Sequence, residues 1–230
     1  MHLPSAPAEP VDALRRLLRI PRRCAIVTHF NPDGDAIGSS LGLMHLLQAS
    51  GHSATVVLPN GAPSFLHWMP GYGQAIAFDA RRDEALAAIA DAEVLFCLDF
   101  NRPDRVGGLE EAVCKAPVKV LIDHHQDPAP FAELSFTDPT ACATSQMIHD
   151  IASALGLGAS ITTASATCLY TGIVTDSGSF RFSSTTPHTM RVAADLIERG
   201  VVITTVHESI LDDNRPERLN AMDAGLVSDL

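Results

Sequence analysis

The chain has 230 residues, of which 46% are hydrophobic, and a mean hydropathy of +0.14. That is enough apolar side chain for one large domain or two small ones, and too much for a disordered chain. The formal net charge is −11, and Lys115 and Lys119 are the only lysines, so the broad basic face that long nucleic acid requires is missing.

In chain order, residues 1–10 are rich in Pro and Ala and are expected to be flexible. Residues 11–20 place apolar side chains at a helical spacing, with Pro21 as the stop. Residues 24–28 read as a strand, followed by a helix from about Asp35 to Ser50 that Gly51 closes. A β-branched strand over 53–58 ends at Pro59-Asn60-Gly61, and 83–90 is an Ala-rich helix. The run 94–98 is continuously apolar, and 118–122 is apolar apart from Lys119, the mark of strands covered on both faces of a parallel sheet. Residues 144–155, 160–174 and 189–198 read as helices, the second apolar nearly all round and therefore buried, and 218–227 starts a fourth. The alternation predicts an α/β fold: a parallel sheet flanked by helices, with a more helical C-terminal part.

The five cysteines (Cys24, Cys97, Cys114, Cys142, Cys168) are odd in number and contain no Cys-x-x-Cys pair. They are expected to be free thiols in a reducing compartment, which points to the cytoplasm. The first ten residues lack the charged and apolar regions of a signal peptide, and no apolar run reaches the ~20 residues of a membrane span. No membrane and no long nucleic acid are expected as partners, and the composition is compatible with a homodimer.

Four apolar segments each run into an acid or an imidazole. The first leads to His29-Phe30-Asn31-Pro32-Asp33-Gly34-Asp35, the second to Asp99, the third to Asp123-His124-His125 and the fourth to Asp176. Open α/β sheets build their sites at the carboxyl ends of strands. One imidazole and two carboxylates within seven residues form a chelate, and Asp99, arriving separately, has two oxygens with which to bridge two ions. The resulting sets are His29, Asp33 and Asp99 for one ion and Asp35, Asp99, His124 and Asp176 for the other. Imidazole and carboxylate without thiolate suit Mn²⁺, Mg²⁺ or Fe²⁺ better than structural Zn²⁺. Two such ions ~3.5–4 Å apart can bind a phosphoryl group and turn a bridging water into hydroxide. Asp123 is placed to accept the second N–H of a histidine. Gly38 and Ser39 offer a small helical turn to a phosphate, and Arg105 and Arg181 offer guanidinium groups to phosphate oxygens, with Arg102 the weaker candidate. His45, His52, His67, His149 and His207 are read as surface or packing residues. The stretch Thr137–Thr140, with Ser145 just inside the next helix, is read as its cap. Trp68 and Tyr72 flank a turn, where packing is the expected role.

The stretches from His29 to Ser39, Leu98-Asp99, Ile122 to His125 and Gly172 to Phe182 together resemble the ordered motifs of the DHH phosphoesterase family, over residues 24 to about 200. That family includes RecJ-like exonucleases, family II pyrophosphatases, exopolyphosphatases, cyclic-dinucleotide phosphodiesterases and nano-RNase/pAp phosphatases. The Asn-Pro before Asp33 and the Ser-Gly-Ser-Phe-Arg-Phe after Asp176 are similar to the last subgroup. The resemblance implies the ligand set above, Mn²⁺ as the ion, and His125 on the scissile phosphate rather than on a metal. The expected activity is hydrolysis of short oligonucleotides or pAp-like nucleotides. The alternatives are an exopolyphosphatase or cyclic-dinucleotide phosphodiesterase of the same family, or a nucleotide-binding module without turnover. Such enzymes carry a further C-terminal domain of roughly one hundred residues. Here residues 11–215 are expected to be the catalytic domain and 216–230 the start of a helical linker, with that further domain absent.

Overall fold

The computed structural model describes residues 8–210. The helix expected over 218–227, the linker over 216–230 and the first seven residues lie outside them. The described elements are α1 (Ala8–Leu17), β1 (Arg23–Val27), α2 (Gly34–Ala49), β2 (Ser53–Leu58), β3 (Ile76–Ala77), α3 (Arg82–Ala90), β4 (Val94–Leu98), a 3-10 segment (Pro103–Leu109), α4 (Glu110–Lys115), β5 (Lys119–Asp123), β6 (Leu134–Thr137), α5 (Thr144–Leu155), α6 (Thr163–Asp176), α7 (Pro187–Glu198) and α8 (Ile203–Ile210).

All six strands are parallel, in the order β3-β2-β1-β4-β5-β6. The chain runs outward from β1 to β3, then returns to the centre at β4 and runs the other way. The switch between β1 and β4 opens a crevice beyond their carboxyl ends.

The strand side chains alternate between two cores. Ile26, Val56, Phe96, Leu98, Val120 and Ile122 pack with the helices of one face. Ala25, Val27, Val57, Leu95, Cys97 and Leu121 pack with α3, α4 and the 3-10 segment on the other. Burial on both faces is why β4 is apolar at every position, Val-Leu-Phe-Cys-Leu. Among the described residues, no helix is long and apolar enough to cross a membrane.

Helix α2 lies against α6 with almost no space between the backbones. A Cβ at Gly38 would come 2.6 Å from the Cys168 carbonyl, and one at Gly42 would come 2.5 Å from the Leu169 side chain. Gly38 therefore serves helix packing, and Ser39 beside it is fully buried with its hydroxyl donated to the Ala36 carbonyl. Helix α1 begins at Ala8, inside the stretch expected to be flexible. Pro10 is tolerated there because the first turn leaves its N–H groups unpaired anyway. The stretches that pattern reading passed over are β3, β6, α4 and α8. The two strands are short sheet edges, and α8 is rich in the β-branched residues that argue for strand.

Candidate metal centre

Three segments reach the crevice from the sheet and two from helices. After β1, His29 is held by its neighbours: its Nδ1–H donates to the Phe30 carbonyl at 2.9 Å. That fixes the tautomer and aims Nε2 at the carboxylates of Asp99, 3.6 Å away, and Asp33, 3.9 Å away. The turn is pinned to the end of β2 by Asn31, whose N–H donates to Asn60 Oδ1 while Asn60 Nδ2 donates to Asn31 Oδ1. Asp33 caps α2, with Oδ1 accepting from the N–H groups of Asp35 and Ala36.

Asp99 leaves β4 in the left-handed backbone region, φ +65°, a conformation that Asp and Asn adopt more readily than other side chains. Its N–H donates to the Ile122 carbonyl of β5, and its carboxylate is buried between two groups. Oδ2 faces His29, and Oδ1 faces His124 Nε2 at 3.5 Å and accepts from the Thr144 hydroxyl at 2.9 Å. His124, after β5, donates from Nδ1 to the Ala141 carbonyl and so presents Nε2 to Asp99, Asp176 (3.4 Å) and Asp35 (4.0 Å). Asp176 comes from the last residue of α6, a helix end rather than a strand end.

Asp35 is buried and held at both oxygens. Oδ2 accepts from the Thr144 N–H at 2.6 Å and Oδ1 from the Ser145 N–H at 2.9 Å. Helix α5 is therefore capped by a carboxylate from 109 residues earlier, since its own N-cap, Ala143, has no side-chain acceptor. The local capping expected over 137–140 does not reach it: Asp138 accepts from Thr140 instead, in a separate turn. Gly172 makes room for this arrangement, because a Cβ there would lie 2.1 Å from Ser145 Oγ and 2.8 Å from Asp35 Oδ1. Gly172→Ala is expected to cost about 1–3 kcal/mol by overpacking, lowering the melting temperature by roughly 2–4 °C per kcal/mol. It should also weaken divalent-ion binding by displacing Asp35. An unchanged melting curve would show that the helices can yield.

The electrostatics are those of a site awaiting positive charge. Burial raises the Asp35 pKa well above the usual carboxylate range, and Asp99 and Asp176 push it further. Burial likewise raises Asp176 to about 6, with His124 opposing and Asp99 and Asp33 adding. Burial would lower the His29 pKa, but Asp33 and Asp99 outweigh it and lift it to about 10.

The ligand-type atoms of His29, Asp33 and Asp99 lie within 4.8 Å of one another, and so do those of Asp35, His124 and Asp176. Two imidazoles with Nε2 inward, four carboxylates and no thiolate suit a pair of hard or borderline divalent ions. Asp99 turns one oxygen toward each set, Oδ2 to His29 and Oδ1 to His124.

His125 makes a third such group with Asp99 and His124. Its Nδ1 lies 2.7 Å from Asp123 Oδ1, and that hydrogen bond raises its pKa, with Asp99 adding and Arg105 opposing. Asp123 is fully buried, and its Oδ2 has no hydrogen-bond partner. Arg105 is exposed and close enough for its charge to be felt at His125. Arg181 is exposed beyond Asp176, with Nε on the Gly178 carbonyl. Arg102 pairs with Asp104 at 3.3 Å. Tyr72 stacks on His67 and accepts the Ala62 N–H through its hydroxyl. Trp68 packs against the core.

Pattern reading did not single out Thr144 and Ser145 as parts of the site. Their signal is spatial, an α5 N-terminus aimed at an acid distant in sequence. His149 and His188 belong to a separate network with Asp150, Asp195 and Arg199. The cysteines are free, with Cys114 exposed and the others buried.

Residues 23–173 match the model of the DHH family, N-terminal domain. A bifunctional oligoribonuclease and PAP phosphatase of Thermus thermophilus is 37% identical over 188 residues, which cover 80% of this chain and 52% of that protein. A cyclic-di-AMP phosphodiesterase of Geobacillus thermodenitrificans is 29% identical over 73% of this chain and 27% of its own. The chain thus spans about half the length of the first of these relatives and less of the second. Among solved structures, an exopolyphosphatase-related protein from Bacteroides fragilis superimposes with a TM-score of 0.91 at 30% identity, covering 98% of this chain and 67% of that one.

Proposed function

Because this chain belongs to the DHH family, we propose that it is a two-metal, Mn²⁺-dependent phosphoesterase of short oligonucleotides and pAp-like nucleotides. The observation that carries this reading is Asp99, buried with one carboxylate oxygen toward His29 and the other toward His124. His29, Asp33 and Asp99 would hold one ion, and Asp35, Asp99, His124 and Asp176 the other. When bound, such a pair supplies Lewis acidity to the phosphoryl oxygens and lowers the pKa of water at the site.

The protein's own groups do the rest. His125, whose pKa the hydrogen bond to Asp123 raises, donates from Nε2 in its protonated form to a phosphoryl oxygen and stabilises the charge that grows there in the transition state. Asp123 is the residue that positions it. Arg105 and Arg181 offer bidentate contacts to neighbouring phosphate oxygens. The Nδ1–H bonds of His29 and His124 to backbone carbonyls keep both Nε2 atoms in place through the cycle. Ser39 has no part in this scheme, because its hydroxyl is buried and already used. Five unpaired cysteines accord with a reducing, cytoplasmic setting.

The substrate class is supported by the Thermus relative's name, and the Bacteroides structure's name favours inorganic polyphosphate as the rival. Phosphate release by the 230-residue chain separates them. With Mn²⁺, phosphate release from pAp should exceed that from tripolyphosphate at equal concentration, a dinucleotide should be converted to mononucleotide, and chelation should stop both. Release from tripolyphosphate alone would transfer the reading to the rival. Ion binding without any release would make the chain a binding module.

A further inference from the structure

We propose that Phe30 and Phe182 are stacking platforms for the nucleobases on the two sides of the scissile phosphate. The proposal rests on the phosphoesterase reading and deepens it by naming the residues that would select a nucleotide over a bare phosphate chain.

Both rings are exposed where burial would be the default for phenylalanine: Phe30 is 50% and Phe182 58% accessible. Both adjoin the site. Phe30 follows His29, and Phe182 lies six residues past Asp176. Those two residues are the ends of the run of contacts from His29 through Asp99 and His124 to Asp176.

Each ring is held out by the backbone in the same way. The Phe30 N–H donates to the Arg105 carbonyl at 2.7 Å, and its ring lies over Gly107, where a Cβ would come 3.2 Å from it. The Phe182 N–H donates to the Ser177 carbonyl at 3.0 Å, and its ring lies over Gly178, where a Cβ would come within 2.5 Å. Both glycines have φ +55°.

On the Phe182 side the strain extends further. Gly178, Ser179 and Phe180 are left-handed in succession, at φ 55°, 59° and 64°. Two of these are not glycine, a conformation that persists only where the surroundings hold it. The Ser177 hydroxyl, accepting from the Phe180 N–H at 2.9 Å, and the Val174 carbonyl, accepting from the Ser179 N–H at 2.8 Å, do so.

Each ring also has an arginine linked to it through the backbone. Arg105 shares a hydrogen bond with Phe30, and Arg181 immediately precedes Phe182. An exposed aromatic ring with an arginine nearby along the backbone, repeated at both ends of the run from His29 to Asp176, matches a base, a phosphate and a second base. Stacking accepts any base, because each has a π-face, and contributes between about 5- and 100-fold in affinity per base.

The test uses a dinucleotide of 2-aminopurine and adenosine, whose emission falls when the fluorescent base stacks, titrated with the full chain in Ca²⁺. Wild type should quench it. Phe30→Leu and Phe182→Leu keep the apolar packing and lose the flat face, so each should weaken binding by 5- to 100-fold. Phe30→Tyr and Phe182→Tyr should restore it.

In turnover with Mn²⁺, wild type should prefer the dinucleotide over its abasic analogue in kcat/KM, and each leucine variant should lose one platform's share of that preference. No quenching, equal hydrolysis of both substrates, or an effect confined to one of the two positions would overturn the proposal. Equal hydrolysis would do so while leaving the phosphoesterase reading standing. Quenching with no hydrolysis of any phosphate ester would overturn that reading and keep the platforms.

Discussion

Asp99→Asn should lower Mn²⁺-dependent phosphate release by at least about 10³-fold. In the proposed scheme Asp99 would be shared by both ion sites. A metal's stabilisation of transition-state charge amounts to several kcal/mol, and every 1.36 kcal/mol is a factor of ten in rate. Asparagine is the informative replacement. It tolerates the left-handed backbone at position 99, and its side-chain oxygen can still accept from the Thr144 hydroxyl. Alanine would add backbone strain of roughly 1–2 kcal/mol and leave that hydroxyl unpaired.

The same variant removes a like charge that presses on Asp35 and Asp176 and also a partner of the His29 proton, so its stability without metal should change little. What it should lose is stabilisation by added Mn²⁺. Saturation at 100 times Kd is worth about 2.7 kcal/mol, a rise of roughly 5–10 °C in a domain of this size. A variant that kept both its turnover and its metal-induced shift would show that Asp99 does not bridge two ions.

Metal binding should strengthen steeply with pH. In the metal-free protein His29 holds its proton up to a pKa of about 10, and Asp176 up to about 6. A ligand must be deprotonated, so binding releases these protons. The apparent association constant should rise at least about tenfold per pH unit between pH 6.5 and 8.5, from the His29 proton with Asp35 adding, and more steeply below pH 6, where Asp176 adds another. His29→Gln should flatten the upper limb.

Stability without metal should move the opposite way. Both groups have raised pKa values in the folded state, so the native protein binds more protons than the unfolded chain, and stability falls as pH rises. The Asp176 contribution is lost between about pH 4 and 6. The His29 contribution is intact below 6.5 and disappears as pH climbs toward 10. Calorimetric titration of Mn²⁺ at four pH values, with melting curves in chelator, tests both limbs. A flat affinity profile would mean that His29 is not a ligand.

Much of the architecture is legible in the chain because it is locally encoded. The apolar stretches 94–98 and 120–122 could be read as strands, since burial on both faces of a parallel sheet leaves β4 apolar throughout and β5 polar only at its ends, Lys119 and Asp123. Helix α7 ends as its pattern predicts and begins two residues earlier, at Pro187, where Thr186 and Thr189 close a capping box. Helix α8 was not legible, because a Val-, Ile- and Thr-rich stretch acquires its helicity from the core it packs on.

The sequence by itself determined the chemistry available to this protein. It set out acids and imidazoles at the ends of apolar segments, without thiolate and without a basic face. The tertiary structure alone decided how those groups are shared. Strand order put His29 and Asp99 across the β1–β4 switch. A left-handed turn gave each oxygen of Asp99 a different neighbour, and the bare surface of Gly172 let Asp35 cap a helix 109 residues away. Spacing along a chain carries no information about which of two oxygens meets which ring, because that depends on packing between segments that are distant in sequence.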